Sequence, residues 1–116
     1  MAPVGTPSSN LHVDRRRSLR ARLATMVTVT VGGRLVDAVG ADVSPGGIRL
    51  VTATPARIGD AVSVVFFLNG DIVCARGTVR WCAPTKRGLH TFGVAFSAIE
   101  EDGPVLLDRL CRASLH

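Results

Sequence analysis

From Leu23 to Val31 the chain alternates without interruption: Leu23, Thr25, Val27, Val29 and Val31 fall on one face, and Ala24, Met26, Thr28 and Thr30 on the other. A period of two is the repeat of a pleated strand. Valine and threonine favour it because branching at Cβ restricts χ1 in a helix. The run ends at Gly32-Gly33, a two-residue hairpin signal, and a second strand is expected from Arg34 to Asp42. Ser44-Pro45-Gly46-Gly47 reads as the next turn, with proline fixing φ and glycine supplying positive φ, before a short third strand over Ile48 to Thr52. After a loop from Pro55 to Asp60, Ala61 to Leu68 alternates again, with Val62, Val64, Phe66 and Leu68 on one side. Asn69-Gly70 turns the chain into a fifth strand, Ile72 to Trp81, where Gly77 predicts a bulge or a barrel bend. A polar loop from Pro84 to Gly88 leads to a sixth strand, Leu89 to Phe96, with His90, Phe92, Val94 and Phe96 on one face.

Only the end changes period. Leu106, Leu107, Leu110 and Cys111 recur as one face of a helix, with Glu100, Glu101 and Asp102 before it and Arg109 and Arg112 near its end. Six short strands and one terminal helix predict a mainly all-β fold: a small antiparallel barrel, the helix covering an opening or an edge. The 116 residues fit one domain, and a hydrophobic fraction of 47% excludes wholesale disorder. The chain is too short for a TIM barrel, and no apolar run approaches the roughly 20 residues of a membrane helix.

Cys74, Cys82 and Cys111 are an odd set without a CxxC pair, which argues against a disulfide scaffold or a zinc ribbon. Met1 to Asn10 holds no apolar core of the kind a signal peptide needs. Both features lead us to expect a cytoplasmic protein. Residues 1–13 are expected to form a flexible leader and 14–116 the domain, opening on an arginine-rich loop at 14–22.

The charge is concentrated in that loop. Arg15, Arg16, Arg17, Arg20 and Arg22 stand against the single acid Asp14, which accounts for four of the chain's five net positive charges. Guanidiniums so close together repel one another and are comfortable in solvent or around an anion. A planar guanidinium fork binds phosphate bidentately, and its face stacks on bases.

Two motifs stand apart from the core pattern: Arg16-Arg17-Ser18-Leu19-Arg20, an RxxxR spacing, and Asp42-Val43-Ser44-Pro45-Gly46-Gly47, a DxSxxG spacing. Alone, the first can arise by clustering of arginines, and the second is a serviceable turn in which Asp and Ser bond local amides. In this order, with one hairpin between them, they resemble a PilZ domain. Ile58-Gly59-Asp60, Val79-Arg80-Trp81 and Gly93-Val94-Ala95-Phe96 also resemble later signatures of that family. The resemblance runs from about residue 14 to the terminal helix.

It implies a six-stranded antiparallel barrel with a C-terminal helix that binds the bacterial second messenger cyclic di-GMP. Arg16 and Arg20 take the RxxxR positions, Asp42, Ser44 and Gly47 the DxSxxG positions, and Arg15 and Arg17 are flanking helpers. The chemistry is consistent. Guanine offers O6 and N7 to an arginine fork and its N–H edge to a carboxylate such as Asp42. Ser44 can add a hydroxyl contact, and Gly46 and Gly47 let a base approach the backbone. The arginine loop is expected to close over the ligand and present a new surface to an unidentified effector protein.

Other residues read more plainly. Trp81 is expected to pack in the core or at the rim rather than to stack on a base, His90 to pack rather than to ligate, and the cysteines to behave as small buried hydrophobes. No nucleophile–base pair, paired carboxylates or GxxxxGK loop is present, so neither catalysis nor a cofactor is expected. One rival is a nucleic-acid-binding barrel of the OB type. The scarcity of aromatics for base stacking weighs against it. Another is a PilZ-like adaptor that binds only protein, whose mark would be a lost motif.

Overall fold

The computed structural model describes residues 20–113. Six strands follow in order: β1 (Ala21–Val31), β2 (Arg34–Ser44), β3 (Gly47–Thr52), β4 (Ala61–Leu68), β5 (Asp71–Pro84) and β6 (His90–Ile99). A 3₁₀ turn, Lys86–Gly88, joins the last two strands, and helix α1 (Gly103–Ala113) ends the described chain. All pairings are antiparallel, and the strands close in the order β1-β2-β3-β6-β5-β4. Pairing of β1 with β4, Thr28 opposite Val65 through Val31 opposite Val62, makes the closure. The expected six-stranded barrel with a C-terminal helix is therefore the fold.

Strand alternation sorts the side chains as the sequence implied. Val27 and Val29 of β1, Val62, Val64, Phe66 and Leu68 of β4, and Phe92 and Val94 of β6 point into the core with Ile48, Leu50 and Val79. Leu107 and Cys111 on α1 are fully buried, and the helix packs against β2 and β5. It thus covers one opening of the barrel and removes about 1.5–3 kcal/mol worth of leucine surface from water at Leu107 alone. Among the described residues, no helix is long and apolar enough to cross a membrane.

The strands run further than their alternation indicated. β1 starts at Ala21, opposite Val43, and β5 continues to Pro84, opposite His90. At these rims the neighbouring strand holds the backbone, so pairing persists where side chains no longer alternate. Bulges break three ladders: β1–β2 between Arg22 and Thr25, β2–β3 between Gly40 and Asp42, and β5–β6 at Gly77 and again before Trp81. The bulge expected at Gly77 is present. A Cβ there would lie 2.1 Å from the Ala95 carbonyl oxygen, so the backbones approach too closely for a side chain.

Two expectations are corrected. Cys111 is buried, but Cys74 is only partly covered and Cys82 is exposed, because the end of β5 projects past the core. The turn after β2 uses no positive φ at Gly46 or Gly47: the left-handed glycines are Gly32, Gly33, Gly59, Gly70 and Gly88.

Candidate functional site

The β2–β3 hairpin carries the DxSxxG motif. Ser44 and Gly47 are cross-strand partners, with Pro45 and Gly46 between them. The Ser44 hydroxyl accepts from the Gly46 amide at 3.3 Å and lies 3.5 Å from the Gly47 carbonyl oxygen. It therefore shapes its own turn. The turn is pinned to β6, whose Phe96 amide donates to the Gly46 carbonyl at 2.9 Å. A Cβ on Gly47 would lie 2.4 Å from the Val94 carbonyl oxygen, so glycine at 47 is demanded by the sheet. Above Gly46 the space is open, with nothing within 4 Å of a built Cβ.

Asp42 is held from both sides. Arg20 donates to Oδ1 through Nε at 2.9 Å and through Nη2, and Arg49 Nε donates to Oδ2 at 2.7 Å. Burial pushes this carboxyl up, but hydrogen bonds from Arg49 and Arg20, reinforced by both charges, hold it below its ordinary value. Behind the motif, the Cys111 thiol donates to the Val43 carbonyl at 3.5 Å, which ties α1 to the end of β2. Burial, with the nearby Asp108 charge, pushes that thiol up.

Beside the hairpin lies an open cleft of about 540 Å³, within the ~300–1,000 Å³ range of ligand sites. Ser44, Pro45, Gly46 and Gly47 form one wall, and Gly93, Val94 and Ala95 of β6 run along it. Trp81 and Arg80 of β5, the strand next to β6, also line it, together with Arg20, Asp108 and Arg112. Arg112 Nε donates to Asp108 at 2.8 Å across one helical turn. The surface is largely apolar with cations around it, a combination that suits a flat aromatic anion.

Of the residues singled out from sequence, Arg20, Ser44, Gly46 and Gly47 line this cleft, and Asp42 joins it through Arg20. Arg15, Arg16 and Arg17 lie outside the described residues. Trp81 is not a core residue. It is 43% exposed, and its indole lies over Gly93. Arg49, Arg80 and Arg112 went unrecognised. Arg49 was accessible by counting back across the hairpin, since Gly47 opposite Ser44 leads to Arg49 opposite Asp42. Arg112 was not, because its place depends on how α1 docks.

The family model described as PilZ domain matches residues 14–113. The chain belongs to the PilZ domain family. Solved structures share the fold of this PilZ domain. The Bacillus subtilis inhibitor of motility aligns with a TM-score of 0.72 at 18% identity over 83% of this chain and 49% of that one. The PilZ domain of CeSA from a cellulose-synthesizing bacterium aligns at 0.59 and 20% identity, over 84% of this chain and 98% of that one. The PlzA protein of Borreliella burgdorferi, solved in complex with c-di-GMP, aligns at 0.55 and 10% identity over 88% and 48%. The chain thus spans about half the length of the Bacillus and Borreliella proteins. No curated protein matches it in sequence.

Proposed function

We propose that this PilZ domain is a cyclic di-GMP receptor that passes its signal to a partner protein. The observation that carries this reading is the cleft itself, where the last RxxxR arginine, the DxSxxG hairpin and an exposed tryptophan converge. In this reading Arg16 and Arg20 bind phosphate and the O6/N7 edge of guanine, with Arg15 and Arg17 as helpers. Asp42 takes the guanine N–H edge, and Trp81 offers its face to a base. Ser44 holds the turn open, while Gly46 leaves room for the ligand to approach the backbone. Arg20 must then turn from Asp42 toward the ligand, and Arg49 keeps the carboxylate in place meanwhile.

The arginine-rich segment expected at 14–22 is shortened by β1, which already pairs Ala21 and Arg22 with β2. In this scheme residues 14–20 close over the cleft, the domain proper spans 14–116, and residues 1–13 are a leader to it. The ordered loop and the rim beside Asp42 to Gly47 form the surface that a partner reads. Three free thiols suit the reducing cytoplasm as the place of action.

Isothermal titration calorimetry with cyclic di-GMP, GMP, cyclic GMP and single-stranded DNA tests the proposal. Heat with cyclic di-GMP in clear preference to the others is expected. Absence of that heat, together with tight DNA binding and a steep salt dependence, would favour the nucleic-acid barrel. Silence with every nucleotide would favour the protein-only adaptor.

A further inference from the structure

The outer surface of the barrel carries an apolar ridge that ligand binding does not use. Val39 on β2 is the direct partner of Met26 on β1. The β1–β4 ladder ends at Thr28 opposite Val65, and Met26 and Phe67 are the next outward residues of the two strands beyond that last pair. Phe67 is in turn the partner of Ile72 on β5. Val39, Met26, Phe67 and Ile72 are 42%, 61%, 61% and 56% exposed, while Val27, Ala38, Phe66 and Val73 beside them in the chain are buried. Neighbouring strands lie about 4.8 Å apart, so four strands give a ridge about 14 Å long. Single exposed apolar residues are ordinary, whereas two exposed apolar cross-strand pairs on adjoining strands make a contiguous patch of the kind that marks a contact surface.

The two ends of the ridge differ in charge. Beyond Val39, past the Thr25–Gly40 pair and the bulge that follows it, the next cross-strand row is Arg22, Asp42 and Arg49, and Arg20 also reaches Asp42, so arginines outnumber the acid. At the other end, Ile72 shares a shallow pocket with Asp71, Glu100, Glu101 and Asp102.

We infer that this ridge is the interface of a two-fold homodimer. An axis through its middle, between Met26 and Phe67, lays two ridges antiparallel on each other. The Ile72 end of one copy then meets the Val39 end of its partner, and acids face arginines at both ends. A surface that is apolar in the middle and oppositely charged at its ends is complementary to itself. A partner bearing one sign of charge would satisfy only one end. The inference rests on the strand register and the charges rather than on the ligand reading, although Arg20, Asp42 and Arg49 serve in both.

Sedimentation velocity on the full chain, from about 5 to about 500 μM, tests it. A concentration-dependent dimer is expected, with a dissociation constant raised at least about tenfold by Phe67→Glu and by Met26→Glu. Both side chains point outward, so thermal melts should show the barrel retained. Met26→Gln serves if either charged variant fails to fold. Arg22→Glu alone, and Asp71→Lys with Glu100→Lys, should each weaken the dimer, and mixing the two proteins should restore it. A chain that stays monomeric throughout, whatever else covers the ridge, overturns the inference. So does a dimer indifferent to Phe67→Glu, or a mixture that fails to associate.

Discussion

Trp81 stands opposite Gly93 in the β5–β6 register, and its indole fills the space a Gly93 side chain would need: a Cβ built there lies 2.1 Å from Nε1. The glycine thus sets where the ring rests, lining the cleft and partly open to solvent. Gly93→Ala should displace the ring while sparing the barrel, because an exposed side chain can swing where backbone cannot. Trp81 is the chain's sole tryptophan, so its emission spectrum reports the move directly. Affinity for cyclic di-GMP should fall about tenfold, or about 1.4 kcal/mol. Gly77→Ala is the contrast. Its Cβ would meet the Ala95 carbonyl oxygen at 2.1 Å, and a backbone clash of that kind costs roughly 1–3 kcal/mol. Its melting temperature should drop well below that of Gly93→Ala. Equal melting temperatures with unchanged emission would mean that Gly93 does not position Trp81.

Charge-removing substitutions should separate the proposed site from general attraction. Arg16→Ala, Arg20→Ala and Asp42→Ala each delete a charged hydrogen-bonding group, a loss of about 1.5–3 kcal/mol, and should cut affinity roughly ten- to hundredfold. Arg22→Ala changes the same net charge as the other arginine variants but lies outside both motifs, and should alter affinity little. If all three arginine variants lost affinity equally by calorimetry, simple electrostatic attraction would explain the binding better.

Arg49 contributes without belonging to either motif. It is 39% exposed and bonds the Asp42 oxygen that Arg20 does not use, so it can hold the carboxylate while Arg20 moves. Arg49→Ala should weaken binding of cyclic di-GMP several-fold, less than Asp42→Ala. Arg49→Lys should recover part of the loss, since lysine restores the charge but not the planar fork. Affinities of the three variants measured side by side would refute this role if Arg49→Ala matched the wild type.

The same two arginines give Asp42 a dependence on acidity. Its folded carboxyl titrates below the ordinary value of 3.8, so the unfolded chain binds the proton more readily. The stabilisation is present in full above that ordinary value and is lost as pH falls through it toward the folded value. Thermal melts from about pH 6 down to about pH 3 should show wild type losing more stability than Asp42→Asn over the lower part of that range. Parallel curves would show that the Arg20 and Arg49 contacts contribute nothing net.

The barrel was legible in the chain because its signals are local. Alternating valines from Leu23 to Val31 and the Asn69-Gly70 turn act over a few residues, and the structure keeps the turn as read and the alternation from Thr25 onward, with a bulge at the start of the run. Gly77 signalled a bulge without revealing its reason, which is the Ala95 backbone on another strand. The cleft was only half legible. Ser44, Gly46 and Gly47 come together through one hairpin, but Trp81 and Arg112 join them through β6 and the docking of α1, contacts that no short window contains. Of the two places burial statistics allow Trp81, it takes the rim rather than the interior, because its small partner Gly93 gives the indole a shelf there. The ridge from Val39 to Ile72 was hidden for the same reason, since each residue is an ordinary outward position until the register aligns them.

Closure of the arginine segment over the cleft has its own readout. Arg20 is bonded to Asp42 just before β1, so the closure proposed above would act on the stretch before it. Fixing a residue costs about 1–2 kcal/mol in backbone entropy, and the clustered charges add repulsion until an anion bridges them. Phosphate and guanine contacts must offset both, so closure should follow ligand occupancy. Amide hydrogen exchange with and without cyclic di-GMP should therefore show protection rising over residues 15–20 and around the Asp42 turn. In β4 it should hardly change, because Ala61 to Leu68 is paired on both sides whether or not ligand is bound. Strong protection of residues 15–19 in the free protein would mean a preformed loop. The signal would then have to travel through the Arg20–Asp42 contact instead.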